Sequence, residues 1–301
     1  AHMVHFCWLS VAPRCCTTLA ALFSILLAAA KPPLVQAPPP LCRWETAHAE
    51  QHTWPMCLHD PSIDNRVSPT IKRTGCWECP TVQDMLKLLR DHDNSSLLDI
   101  GANIGYYSLA AAASGAAAHV DAFEASPRNI LMMQQSVIRS ELGGVVTLHA
   151  IALGAAPGML RLGVSQRNQG GLHHTEAAGG TQVARMALDS VLAPTTRPVF
   201  IKLDVEGAEC AVVRGMRNFL RDSAQIIGFA MEVSQSRDCC DEWCSEAGLF
   251  GQLHARGLCP WSRGSNSNPK RARLHFTACH HWCDTGASAT GDVVWVPCNA
   301  A

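Results

Sequence analysis

Carboxylates stand at the ends of three apolar runs, and glycine or a small residue follows each within three positions. Asp99 lies in Leu97-Leu98-Asp99-Ile100 and precedes Gly101-Ala102-Asn103-Ile104-Gly105. A buried strand, two glycines and then a helix-like segment from Tyr106 to Ala113 form the unit that turns backbone N–H groups and a helix N-terminus toward a nucleotide. Gly101 is expected to make the turn and Gly105 to let the helix lie close to strand or ligand. Glu124 closes His119-Val120-Asp121-Ala122-Phe123, about 23 residues after Gly101, where an acid accepts hydrogen bonds from two ribose hydroxyls. A nucleotide-type cofactor is the first inference.

The third acidic stretch is Val199-Phe200-Ile201-Lys202-Leu203-Asp204-Val205-Glu206-Gly207-Ala208-Glu209. It reads as another buried strand, ending in acids at the edge where open α/β sheets bind ligands. Glu206 and Glu209 could do no more than favour a helix N-terminus electrostatically. Two glutamates and an aspartate exceed what a cap requires, so a functional role is expected for Asp204 or Glu206.

The elements that must position these acids follow from the flanking pattern. Thr81 caps a short amphipathic helix, Val82 to Arg90, and Ser126-Pro127 starts one running to Leu142 with Ile130, Met133, Val137 and Ile138 inward. Val145 to Leu153 reads as a third strand, Met159 to Leu162 with Val183 to Leu192 as a hairpin arm, and Ile226 to Val233 as a fifth strand. The polar segment Gln166 to Gly180 reads as a lid carrying His173 and His174. A helix is expected from Cys239 toward His254, and Arg273 to Phe276 with Asp292 to Val296 as the last hairpin.

With 301 residues, 48% apolar content and a net charge of −1, the chain can bury one sizeable α/β domain plus additions. No basic stripe exists to neutralise phosphates, which argues against a nucleic-acid partner; Lys270, Arg271 and Arg273 read as a solvated loop. Residues 1–30 hold an uncharged run from Cys15 to Ala30 ahead of Lys31-Pro32-Pro33. It reads as a signal peptide, a signal anchor attaching the protein to a membrane, or an organellar transit peptide, and entry into the secretory pathway is expected. Residues 31–80 read as a proline- and cysteine-rich lead-in without strand or helix period. Of fifteen cysteines, Cys210 reads as a buried thiol. The others outside the leader cluster away from the sheet, where disulfides, free thiols and zinc all remain open.

Asp99-Ile100-Gly101-Ala102-Asn103-Ile104-Gly105, Phe123-Glu124-Ala125-Ser126-Pro127, Ala187-Leu188-Asp189-Ser190-Val191-Leu192 and Ile201-Lys202-Leu203-Asp204-Val205-Glu206-Gly207-Ala208-Glu209 together resemble, in the right order, the FkbM family of S-adenosylmethionine-dependent methyltransferases. Ala125 departs from the family's usual proline. The resemblance implies a Rossmann-like class I methyltransferase fold over residues 81–298, a seven-stranded mostly parallel sheet with one antiparallel strand, and O-methylation of a sugar, glycan or natural-product hydroxyl. It assigns the cofactor S-adenosyl-L-methionine to Asp99, Gly101, Asn103, Gly105, Glu124, Ala152 and Asp204. Glu206 is then the first choice of base for the acceptor hydroxyl and Asp204 the second, with His173 and His174 weaker; no metal is assigned. A nicotinamide-dependent oxidoreductase would need a third glycine and a Tyr-x-x-x-Lys pair, which the chain lacks. An inert Rossmann-like binding module would have no use for these acids.

Overall fold

A computed structural model describes residues 41–163, 173–174, 180–232, 248–262, 272–273 and 292–299. The expected leader, most of the expected lid and the cysteine clusters at 239–244 and 279–283 lie outside them.

The centre is a sheet of strands β3 (Ser96–Ile100), β4 (His119–Phe123), β5 (Val146–His149), β10 (Pro198–Leu203), β11 (Gln225–Glu232), β12 (Leu258–Ser262), β13 (Ala272–Arg273) and β14 (Asp292–Pro297). Its spatial order is β13-β12-β14-β11-β10-β3-β4-β5. From β5 through β11 all neighbours are parallel, and β14 is antiparallel to both β11 and β12. These seven strands are the mostly parallel sheet with one reversed strand that the resemblance implies, and β13 adds a two-residue edge. The chain leaves β3 toward β4 and β5, then returns to the other side of β3 as β10. The gap between the ends of β3 and β10 is therefore the switch point where such sheets take ligands.

Every residue of β3 is buried, because helices cover both faces, and this accounts for its unbroken apolar pattern. On one face Leu97, Val120 and Phe200 pack against α2 (Cys79–Arg90), α3 (Tyr106–Ala113) and α4 (Pro127–Arg139). On the other, Leu98, Phe123, Ile201 and Phe229 meet α5 (Glu209–Gly215), α6 (Arg217–Asp222) and α7 (Leu249–Ala255). The stripe of α4 is rotated from its expected position: Asn129, Met132, Met133, Ser136 and Val137 are buried, while Ile138 is 48% exposed.

Residues 41–80 are more ordered than their composition suggests. β1 (Arg43–Ala49) and β2 (His52–Leu58) form an antiparallel hairpin, followed by α1 (Val67–Thr74). The Cys42–Cys57 disulfide closes the hairpin, and the Cys57 N–H donates to Ser136 Oγ on α4 at 2.9 Å. Trp54 packs on Tyr106 with ring centroids 5.5 Å apart, and the Tyr106 hydroxyl donates to the carbonyl of His48. Cys76–Cys79 and Cys259–Cys298 are also disulfides. Cys210, expected as a free thiol, is disulfide-bonded.

Three further expectations are corrected. The third strand stops at His149, and Ala152–Leu153 (β6) instead joins a second sheet, ordered β6-β9-β7-β8, with β7 (Gly158–Gly163), β8 (His173–His174) and β9 (Thr181–Met186). Here β7 and β9 make the expected arm. Helix α2 begins at Cys79, before Thr81. The last hairpin is β12 with β14, and β13 pairs with β12. Among the described residues no helix is long and apolar enough to cross a membrane.

Candidate cofactor and acceptor cleft

The turn after β3 is built on three residues with positive φ, Gly101, Asn103 and Gly105. Gly101 has φ +79°, and a Cβ there would lie 1.7 Å from the Asp204 carbonyl oxygen, so only glycine lets the two strand ends approach this closely. Its N–H and that of Ala102 both donate to the Phe123 carbonyl at 2.9 Å, locking the turn to the end of β4. Asn103 adopts φ 53° and its side-chain oxygen accepts from the Ile104 N–H. Gly105, at φ +90°, ends the turn as the N-cap of α3 and rests on Met133.

Glu124 is buried and bound at both oxygens. Oε2 accepts from the Asn103 N–H at 2.8 Å and Oε1 from the Ser126 N–H at 2.7 Å. Burial pushes its pKa up to about 7, although those two N–H groups favour the ionised form.

Beyond β10, the turn of Asp204 to Ala208 carries Glu206 at φ 54° and Gly207 at φ 102°. Glu209 holds this turn from beneath: its Oε1 accepts from the N–H groups of Val205 and Gly207, each at 3.1 Å. For Glu209 the capping role is therefore the structural fact, and it leaves Asp204 and Glu206 as the acids at the surface of the turn. Asp189, in the family-like segment, is also a cap. It accepts from the Asn218 and Phe219 N–H groups at the start of α6.

These pieces enclose one cleft with about 730 Å³ of empty space, open mouth included. Gly101, Asn103, Glu124, Ala152, Asp204 and Glu206 all line it. The remaining wall is apolar: Phe123, Ile151 and Leu153 on one side, Leu160 and Leu162 of the arm on another. Asp99 and Gly105 lie behind this wall. Asp99 is fully buried, accepts from the Ser108 hydroxyl of α3 at 2.6 Å, and has its carboxyl pKa raised by burial. Its Oδ1 and that of Asp204 are buried without a hydrogen-bond partner.

Sequence reasoning missed Lys202. Its ammonium donates to the Gly101 carbonyl at 2.7 Å and lies 3.3 Å from Asp204 Oδ2 and 3.8 Å from Asp99 Oδ1. Burial alone would lower its pKa, but the carboxylates of Asp204, Asp99 and Glu78 outweigh burial and raise it above the ordinary lysine range. A lysine inside a strand that is otherwise apolar, two residues before an acid, was the available signal.

Residues 99–248 match the family model described as the methyltransferase FkbM domain. The hexuronic acid methyltransferase AglP of Haloferax volcanii is 28% identical over 143 residues, covering 46% of this chain and 58% of that protein. Among solved structures, the FkbM methyltransferase of Methylobacillus flagellatus aligns with a TM-score of 0.42 at 15% identity, over 67% of this chain and 44% of that one. A SAM-dependent O-methyltransferase of Thermotoga maritima aligns with a TM-score of 0.38 at 10% identity, over 77% and 71%. The chain thus spans well under two thirds of the AglP and M. flagellatus proteins. The switch-point cleft and the family match agree on one assignment: this chain carries a methyltransferase domain of the FkbM family.

Proposed function

We propose that the protein is an S-adenosylmethionine-dependent O-methyltransferase acting on a hydroxyl of a sugar or glycan. The observation that carries this reading is the pairing of Glu124 with the Gly101–Asn103 turn at the mouth of the switch point. The residues present fit the cofactor. Glu124 keeps lone pairs for two ribose hydroxyls, Ala152 with Ile151 and Leu153 offers a flat apolar wall to adenine, and Asp204 Oδ1 is a buried acceptor still lacking a donor.

When bound, S-adenosylmethionine supplies a methyl group on a positively charged sulfur, open to in-line attack. The chain's own task is to align the acceptor oxygen and take up its proton. Glu206 lines the cleft on a turn braced by Glu209, which suits a general base; Asp204 is the second candidate. The apolar faces of Leu160 and Leu162 exclude water from the aligned pair. The AglP likeness favours a sugar-type acceptor. The disulfides Cys42–Cys57, Cys76–Cys79 and Cys259–Cys298 support passage through the secretory pathway, with residues 1–30 as signal peptide or anchor.

Thermal unfolding with and without S-adenosylmethionine, with NAD as the contrasting ligand, tests the reading. At 100 times its dissociation constant a ligand of the folded state adds about 2.7 kcal/mol, a shift of roughly 5–10 °C for a domain of this size. The expected result is a shift with S-adenosylmethionine that Glu124→Ala abolishes. No shift in a folded sample overturns it, and a shift with NAD alone makes the protein an oxidoreductase.

A further inference from the structure

The Cys76-Trp77-Glu78-Cys79 motif lies outside the cleft, yet its middle is wired to the cleft's back wall. The Cys76–Cys79 disulfide closes a ring around Glu78, which takes the left-handed φ of 47° as N-cap of α2. Glu78 Oε2 accepts from the Tyr107 hydroxyl at 2.6 Å. The Tyr107 ring in turn faces the Lys202 ammonium, 5.6 Å from its centroid. Lys202 then reaches the Gly101 carbonyl and the Asp204 carboxylate, both groups of the cleft wall. It stands directly across from Asp99 in the β10–β3 register. Lys202 itself is buried and does not line the cleft.

We propose that Lys202 is the positioning residue of the cleft, fixing the Gly101 turn and Asp204 relative to each other, and that the Cys76–Cys79 ring sets it from behind through Glu78 and Tyr107. One ammonium bridges the two strand ends between which the ligand must fit. Three carboxylates share that one charge, so removing any of them alters the field and position of Lys202. Glu78 lines no part of the cleft, and the Cys76–Cys79 disulfide closes around it where its backbone takes a left-handed conformation that a non-glycine residue rarely adopts. The proposal rests on the cleft being the cofactor site, and its test therefore includes a readout that needs no cofactor.

The test compares the full disulfide-bonded chain with Lys202→Met, Glu78→Gln and the pair Cys76→Ser with Cys79→Ser. Amide hydrogen exchange is followed in the ligand-free proteins, and S-adenosylmethionine affinity by calorimetry. Exchange in segments 97–108 and 203–209 is expected to quicken by about tenfold in Lys202→Met and about threefold in the other two, with 119–123 unchanged. Affinity is expected to fall about 30-fold and about fivefold respectively, and Glu78→Gln is expected to add little on top of Lys202→Met. Glu78→Gln keeps an acceptor for Tyr107, so it isolates the charge. Should Lys202→Met fail to fold, Glu78→Gln and the cysteine pair decide by themselves. Unchanged exchange in 97–108 and 203–209 in those two variants, or an increase spread evenly over the sheet, overturns the proposal. Failure of the wild type to bind S-adenosylmethionine overturns the assigned function instead, and the exchange data still judge the positioning role.

Discussion

The Asn103 N–H donates to Glu124 Oε2 at 2.8 Å, so the acid at the end of β4 holds the turn after β3 with the same carboxylate that faces the cleft. Under the proposed function, cofactor binding and the shape of the turn depend on one ionisation.

The pKa of about 7 at Glu124 makes that coupling measurable. At pH 6 the side chain is about nine-tenths protonated, so S-adenosylmethionine should bind roughly tenfold more weakly than at pH 8 and release close to one proton on binding. Calorimetry in two buffers of different ionisation enthalpy reads the proton directly. Equal affinity at both pH values would count against an ionised Glu124 as the ribose acceptor.

Stability of the ligand-free protein should show the opposite trend. The folded value lies above the ordinary 4.5, so between pH 4.5 and 7 the folded state holds a proton that the unfolded chain has lost. The Glu124 contribution is thus complete below about pH 4.5 and disappears as pH rises through 7, a change of roughly 3 kcal/mol at most. Urea titrations from pH 5 to 8 should show this slope, and Glu124→Ala should flatten it.

Gly101→Ala should be among the most damaging single changes. The new methyl group would meet the Asp204 carbonyl and the positive φ would be strained, together costing about 2–4 kcal/mol. Denaturant midpoints measure the loss, and S-adenosylmethionine binding should go with it because the two strand ends are forced apart.

Breaking Cys42–Cys57 should separate stability from function. The bond closes a loop with a sequence separation of 15, for which chain entropy gives about 3 kcal/mol. Cys42→Ser with Cys57→Ser should lower stability by about 2–3 kcal/mol and leave cofactor affinity within twofold, since the hairpin packs on α4 and α3 and lines no part of the cleft.

Glu206→Gln should reduce turnover by about 10²–10⁴-fold with a competent acceptor while sparing cofactor affinity. Steady-state kinetics and calorimetry on the same preparation check both halves. Unchanged turnover would move the role to Asp204.

The parts legible in the sequence were those under the tightest steric rule. A buried parallel strand admits almost nothing but apolar residues, and the approach of β3 to β10 admits only glycine at 101, so β3, β4, β10 and the acids at their ends stood out. The β1–β2 hairpin and β12 did not, because each contains proline. Pro55 lies in a two-stranded ribbon opposite Thr46, and Pro260 pairs with Trp295 on one side while β13 reaches only Trp261 and Ser262 on the other. Both prolines thus sit where a missing N–H costs no ladder bond, a context that only the fold reveals. Lys202 escaped notice for a related reason: apart from Asp204, its partners Asp99, the Gly101 carbonyl and Glu78 all lie far from it in the chain.

The arm of β7 and β9 keeps a small core of its own, where Leu162 and Val183 pack with Ala152, Ala125 and Leu160, apart from the two cores of the main sheet. Its outward side carries Met159, 60% exposed, and Arg161, neither part of any core. Changes on that outward side leave the packing beneath the cleft untouched. Leu160 and Leu162, which line the cleft, alternate along β7 with Met159 and Arg161, which do not, so the outer surface of the arm can vary in sequence while its cleft-facing side stays the same.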